Sequence, residues 1–172
     1  MQISVADKVS VTSLHSLPRT PGTYALLLQL ESRRNVAVGR LGTLFFPAGY
    51  YVYEGSALGP GGLAARLQRH LRVEKRLFWH IDHLLTHARV VTWIVNDSGR
   101  RLECAWARTL LSTSGVQVTA PQFGASDCHC ATHLAYVGAS PEPSWDGWRS
   151  VLGELAEGVC RAGPGAMAQE PL

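Results

Sequence analysis

Apolar residues in the first half of the chain come in short runs separated by turn residues, the spacing of strands rather than of long helices. Gly22 to Leu30 is a nearly continuous apolar run and predicts a buried strand. Glu31 to Asn35 is a charged turn, and Val36-Ala37-Val38 opens a second strand. Gly39 to Gly49 holds three glycines and Pro47, which predicts a wandering connection with a short strand near Leu44 to Phe46. The aromatic and β-branched run Tyr50 to Tyr53 predicts the next strand, completing an antiparallel meander. Gly55 to Gly62, with four glycines and Pro60, is expected to end it in turns.

From Leu63 the period changes. Leu63, Leu67 and Leu71 recur every fourth residue and predict a helix over about Gly62 to Val73. A second helix is expected over roughly Phe78 to Ala88, with Ile81, Leu84, Leu85 and Ala88 on one side. Arg89 to Val95 reads as a strand closed by the turn Asn96-Asp97-Ser98-Gly99, and a third helix over about Arg101 to Leu111 buries Leu102, Trp106 and Leu110. Ser112 to Asp127 is loose, and His133 to Val137 predicts a last strand. The pattern predicts an α+β fold, a small central antiparallel sheet flanked by helices, in one domain over 22–140. An N-terminal arm over 1–21 precedes it. A C-terminal extension over 141–172 follows, where Trp148, Val151, Leu152 and Leu155 suffice for one docked helix.

Composition narrows the class without naming a partner. With 46% hydrophobic and 17% charged residues, the chain is excluded from the disordered class. A net charge of +3 does not mark a polyanion binder, but 14 of the 16 basic residues are Arg, whose forked guanidinium suits phosphate. A GC-rich genome produces the same bias. No apolar run approaches the roughly 20 residues of a membrane span, and Met1 to Pro21 lacks the features of a secretion signal. The expected location is the cytoplasm, where the four cysteines stay reduced.

Some polar residues sit where chemistry is possible. On a helical wheel Arg66 and His70 border the buried stripe of the first helix, whereas Arg69 and Arg72 face solvent. A border position braces a side chain against the core and leaves its head reachable; the ordinary alternative is an Arg whose stem covers its leucines. Glu103 borders the stripe of the third helix, where a carboxylate either holds a hard cation such as Mg²⁺ or answers the helix dipole. Tyr24 and Tyr53 are strand tyrosines close to glycines. Glu54 alternates to the face opposite Tyr53, so it lies either near a sheet edge or as a buried charge. His80, His83 and His87 form a stripe on the second helix. Cys128, Cys130 and His133 are zinc-type donors that need a fourth ligand, for which Cys104 is the candidate; the alternative is a set of reduced thiols unrelated to metal. Cys160, in the tail, is expected to be unrelated.

Taken together, Gly22-Thr23-Tyr24 and Tyr53-Glu54-Gly55, then Ser56-Ala57, Arg66 with His70, and a later helical Glu103, resemble the GIY-YIG nuclease superfamily. More closely, Tyr53-Glu54-Gly55-Ser56-Ala57, Arg66-Leu67-x-x-His70, Trp79-His80-Ile81-Asp82, Glu103-Cys104 and Phe123-Gly124-x-Ser126-Asp127-Cys128 look like the DUF123 branch of that superfamily. The resemblance runs from about Gly22 to Gly138 and implies metal-dependent hydrolysis of phosphodiesters, in DNA rather than RNA, in repair or processing. Tyr53 and Tyr24 would orient or deprotonate the attacking water, Arg66 would stabilise the transition state, and Glu103 would anchor Mg²⁺ or Mn²⁺. His70 or His80 would assist proton transfer. Ser56, Arg69, Lys75 and Arg76 are the candidate contacts to the nucleic-acid backbone. Two other readings remain open: a non-catalytic nucleic-acid-binding module of the same fold, and a zinc-stabilised interaction domain.

Overall fold

A computed structural model describes residues 16–140 and the backbone of Cys160–Pro164. Nine mostly apolar residues make β1 (Gly22–Leu30), with Thr23 and Gln29 the two polar ones, and the fold explains why they do not alternate regularly with polar positions. The strand is central in its sheet and covered on both faces, so every position is apolar or closely packed. Tyr24, Leu26, Leu28 and Leu30 face one core; Ala25 and Leu27 face another.

The expected meander does not form. After β1 the chain makes a separate two-stranded ribbon, β2 (Arg34–Ala37) with β3 (Thr43–Phe46), and only then returns as β4 (Gly49–Ala57). The ribbon docks its own apolar residues, Val36, Val38 and Phe46, on the core. It therefore leaves the sheet, and β4 pairs directly with β1, from Gly22 opposite Ala57 to Leu30 opposite Gly49. This strand runs four residues beyond Tyr53: Gly55 lies opposite Tyr24 and Ser56 opposite Thr23. Gly55 is thus a strand residue rather than a turn residue.

Helix α1 (Gly62–Leu71) follows, with Leu63, Leu67 and Ala64 buried. Its first amides donate to Thr20 and Pro18 carbonyls, so the end of the N-terminal arm caps it, and Leu17 is buried beside it. Helix α2 is shorter than its apolar pattern and spans His80–Leu84, because Asp82 anchors its start and the residues after Leu84 close in turns. Strand β5 (Arg89–Asn96) pairs with the other edge of β1, with an irregularity between Leu27 and Leu28. Helix α3 (Glu103–Leu111) lays Trp106 and Leu110, with Leu102 before them, on the face opposite α1 and α2. Strand β6 (Leu134–Gly138) pairs with β4 over Tyr50 to Tyr53, and β7 (Cys160–Pro164) pairs with β5. The sheet order is β6-β4-β1-β5-β7, antiparallel throughout.

Cys160 therefore starts an edge strand. The helix expected between Trp148 and Leu155 lies outside the described residues. Among these, no helix is long and apolar enough to cross a membrane.

Candidate active site

Strand β6 stops pairing at Tyr53, four residues before β4 ends, and leaves a notch in the sheet edge. Helix α1 reaches the notch from one face and α3 from the other. A cleft of about 410 Å³ opens there, lined among others by Tyr24, Tyr53, Ser56, Arg66, His80 and Glu103.

The two tyrosines meet because of strand register. Tyr24 lies opposite Gly55, and Tyr53 is two residues back on that strand, on the same face. Their ring centroids are 6.3 Å apart. A Cβ on residue 55 would lie 2.6 Å from Tyr24 Cζ and closer still to its hydroxyl, so only glycine admits this ring. The length of the excursion through β2 and β3 is irrelevant to the pair, since β1 and β4 are hydrogen-bonded neighbours. Tyr24 Oη is 2.8 Å from His70 Nε2. Burial raises the Tyr24 hydroxyl to about 12 against the pull of Arg66, and it pushes Tyr53 up as well. Burial, with Lys75 next in effect, lowers His70 to about 3, so its imidazole is neutral. His70 sits behind Tyr24 and is itself buried.

Arg66 reaches the cleft with its guanidinium 4.2 Å from the Trp79 ring centroid. Arg69 stacks on that ring at 4.0 Å and forms a two-pronged pair with Asp82, Nη1 to Oδ1 at 2.8 Å and Nη2 to Oδ2 at 2.9 Å. Asp82 also accepts the amides of Phe78 and Trp79, each at 2.9 Å. Burial alone would raise this carboxyl, but the Arg69 and backbone hydrogen bonds outweigh it and hold it at about 2. Lys75 donates to the His70 carbonyl at 2.5 Å, closing the end of α1. Arg69 and Lys75 are thus each engaged by groups of the protein itself, Arg69 with its side chain still partly exposed and Lys75 with its side chain largely buried. Arg76 is exposed, and its carbonyl accepts from Arg69.

From the other face, Ser56 Oγ donates to Glu103 Oε2, and Arg101 Nε donates to Oε1 at 3.0 Å. Burial raises the Glu103 carboxyl, yet Ser56 and Arg101 overcome it and leave it below its ordinary value. Arg101 also reaches Asp127 Oδ2 at 3.2 Å. Thr23 fixes the start of α3, accepting from the Leu102 amide and donating to the Arg100 carbonyl, both at 2.9 Å. His80 Nδ1 accepts the Gly124 amide at 2.9 Å, which leaves the ring proton on Nε2.

Glu54 is a buried carboxyl rather than an edge residue. It is 1% exposed, neither oxygen has a hydrogen-bond partner among the described residues, and burial lifts its pKa well above 4.5.

Cys104, Cys128, Cys130 and His133 come together from α3 and the loop before β6, with their donor atoms all within 4.8 Å of one another. This Cys₃His group has the composition and closeness to hold a metal ion. Cys160 is not one of its members.

Sequence reasoning assigned no role to Asp82, Arg101, Asp127 or Thr23. Asp82 carried a readable signal, an acidic residue at the third position of a helix that follows an extended Trp79. Arg101 and Asp127 are 26 residues apart and gave none.

No curated protein and no solved structure is significantly similar to the chain. The profile of one family, described as "Domain of unknown function DUF123", matches residues 23–149, and the chain belongs to that family.

Proposed function

We propose that the protein is a metal-dependent endonuclease hydrolysing DNA phosphodiester bonds, in repair or processing in the cytoplasm, as its resemblance to the GIY-YIG nucleases implies. One observation carries the reading: Tyr24 and Tyr53 from two strands, Arg66 from α1 and Glu103 from α3 line a single cleft. None of these residues is held near another by sequence proximity, so the convergence is a property of the fold.

The oxygen donors of Glu103 and Ser56 fit a hard cation, which prefers one or two carboxylates completed by water and phosphate oxygens. Bound Mg²⁺ or Mn²⁺ supplies polarisation of the phosphate. The chain's residues do the rest. Arg66, stiffened by its stack on Trp79, counters the charge that grows on the phosphorus oxygens. His80 offers a neutral imidazole N–H to a phosphate oxygen. Burial raises Tyr24 to about 12 and lowers His70 to about 3, so moving a proton from the first to the second is strongly disfavoured in the resting site. Tyr24 therefore acts by holding the attacking water, and His70 by fixing the direction of the Tyr24 hydroxyl. The thiolates of the Cys₃His group suit a soft ion such as zinc rather than the hard cation that Glu103 and Ser56 would hold.

A second reading rests on Glu103 itself. Both of its oxygens already have partners, Ser56 and Arg101, as in a structural ion pair. On that reading the domain binds nucleic acid without cutting it.

The deciding experiment is cleavage of supercoiled, single-stranded and branched DNA with Mg²⁺ or Mn²⁺. Wild type is expected to cut at least one of them, and Arg66→Ala and Glu103→Ala are each expected to lose ~10²–10³ in rate. Cleavage that survives both substitutions overturns the site. Salt-sensitive binding with no cleavage of any substrate establishes the binding module instead.

A further inference from the structure

We propose that Cys104, Cys128, Cys130 and His133 form a zinc site whose ion positions the carboxylates of Glu103 and Asp127 in the cleft. The positioning half of this inference rests on the reading of that cleft as the functional site; the zinc half does not.

The donors are three thiols and one imidazole, with no carboxylate, which is the set of closed structural zinc sites. Tetrahedral zinc with bonds of about 2.3 Å to sulfur and 2.0–2.1 Å to nitrogen separates its donors by about 3.5–3.8 Å. His133 Nε2 is 3.6 Å from Cys104 Sγ and 3.5 Å from Cys128 Sγ, already at that spacing. His133 is buried and the three cysteines are half-buried, so the group is sheltered but reachable.

What makes the site more than a staple is where its ligands fall in the chain. Glu103 immediately precedes Cys104, and Asp127 immediately precedes Cys128. Arg101 bridges the two carboxylates, at 2.9 Å from Glu103 Oε1 and 3.2 Å from Asp127 Oδ2. The third connection runs to the notch: the His133 carbonyl accepts the Glu54 amide of β4 at 3.0 Å, while its own amide donates to Phe123 at 2.7 Å. An ion held by these four side chains fixes the first turn of α3, the loop over residues 123–133 and the open edge of β4 relative to one another.

The test uses the full chain purified without chelator. Elemental analysis is expected to find one zinc per chain. Replacement by Co²⁺ is expected to give the thiolate-to-cobalt charge-transfer band and the intense visible bands of a tetrahedral site. Cys130→Ser should lose those bands and Cys160→Ser should keep them. Wild type with substoichiometric zinc and no such cobalt spectrum overturns the site, whether or not the variants fold. For the positioning role, amide exchange is compared in zinc-loaded and zinc-stripped protein. Residues 103–106 and 123–133 should exchange about tenfold faster without zinc, with β1 unchanged. Equal exchange overturns the positioning role, and so does loss of protection in β1, which would make zinc a global folding ion. Neither readout involves DNA, so a protein that passes both tests yet cuts nothing refutes only the nuclease reading.

Discussion

Glu54→Gln should stabilise the protein at neutral pH and leave its stability unchanged in mild acid. The wild-type carboxyl is 1% exposed, its oxygens have no partner among the described residues, and burial holds its pKa well above 4.5. In the unfolded chain the same group ionises at its ordinary value. Folding therefore takes up one proton above that value, and each pH unit of rise removes ~1.4 kcal/mol from stability. The contribution is complete below the unfolded pKa and is lost as pH rises toward the folded one. The loss starts at 4.5 and accumulates at that slope as pH rises toward the folded pKa. Gln keeps the shape and an equal burden of unpartnered polar atoms, so the comparison isolates the proton. Urea unfolding followed by circular dichroism, at steps from about pH 4 to pH 8, measures both proteins over the window in which the carboxyl of the unfolded chain ionises. The two curves should coincide at the acid end and diverge steadily above it, with the Gln protein the more stable. Parallel curves, or a Gln protein that is weaker at neutral pH, would show an ionised and well-partnered Glu54 and refute the reasoning.

Other consequences are as direct. Asp82→Ala leaves the Arg69 guanidinium and the amides of Phe78 and Trp79 without their acceptor, and should cost about 3–5 kcal/mol in chemical denaturation. Because its folded pKa of about 2 lies below the ordinary 3.8, Asp82 contributes stability above that value and loses it as pH falls toward 2; the Ala variant should lack this acid-side decline. An unchanged acid limb in the variant would remove Asp82 from its cause. Gly55→Ala places a methyl within 2.6 Å of Tyr24 Cζ, so Tyr24 must leave His70. Thermal unfolding should report a loss of about 1–3 kcal/mol, and a variant of wild-type stability would show that the strands part easily.

The strands and helices were readable where one physical signal decided them. Gly22 to Leu30 is apolar at all but Thr23 and Gln29 because both faces of β1 are covered, and a run of that kind has no other easy home. The Leu63, Leu67 and Leu71 stripe gave α1 in the same way. The pairing of the strands was not readable, because sequence order favours neighbours. Whether Val36 and Phe46 extend the sheet or dock as a ribbon depends on the space beside α2, which no local pattern records. Gly55 misled for a related reason. A glycine marks a turn or a close approach with equal force, and here the close approach is to Tyr24, on a different strand.

The same limit governs the charges. A helical wheel knows the faces of one helix, and on α1 it separates Arg66 at the stripe's border from Arg69 in solvent. In the folded protein the loop after α1 brings Trp79 and Asp82 back over that solvent face, so both arginines stack on the same ring and Arg69 gains a buried partner. Lys75 is likewise engaged by the carbonyl end of α1, and Arg101 by Asp127 in the loop before β6. Among the described residues Arg66 forms no ion pair, and it is the arginine of the cleft left with its charge unmatched. An Arg excess in the composition therefore says little about where an anion binds; the count that matters is of cations without a carboxylate. In this cleft that count points to Arg66, which is why its removal is the sharper test of phosphate chemistry than removal of Arg69 or Lys75, whose loss would first disturb the packing around Asp82.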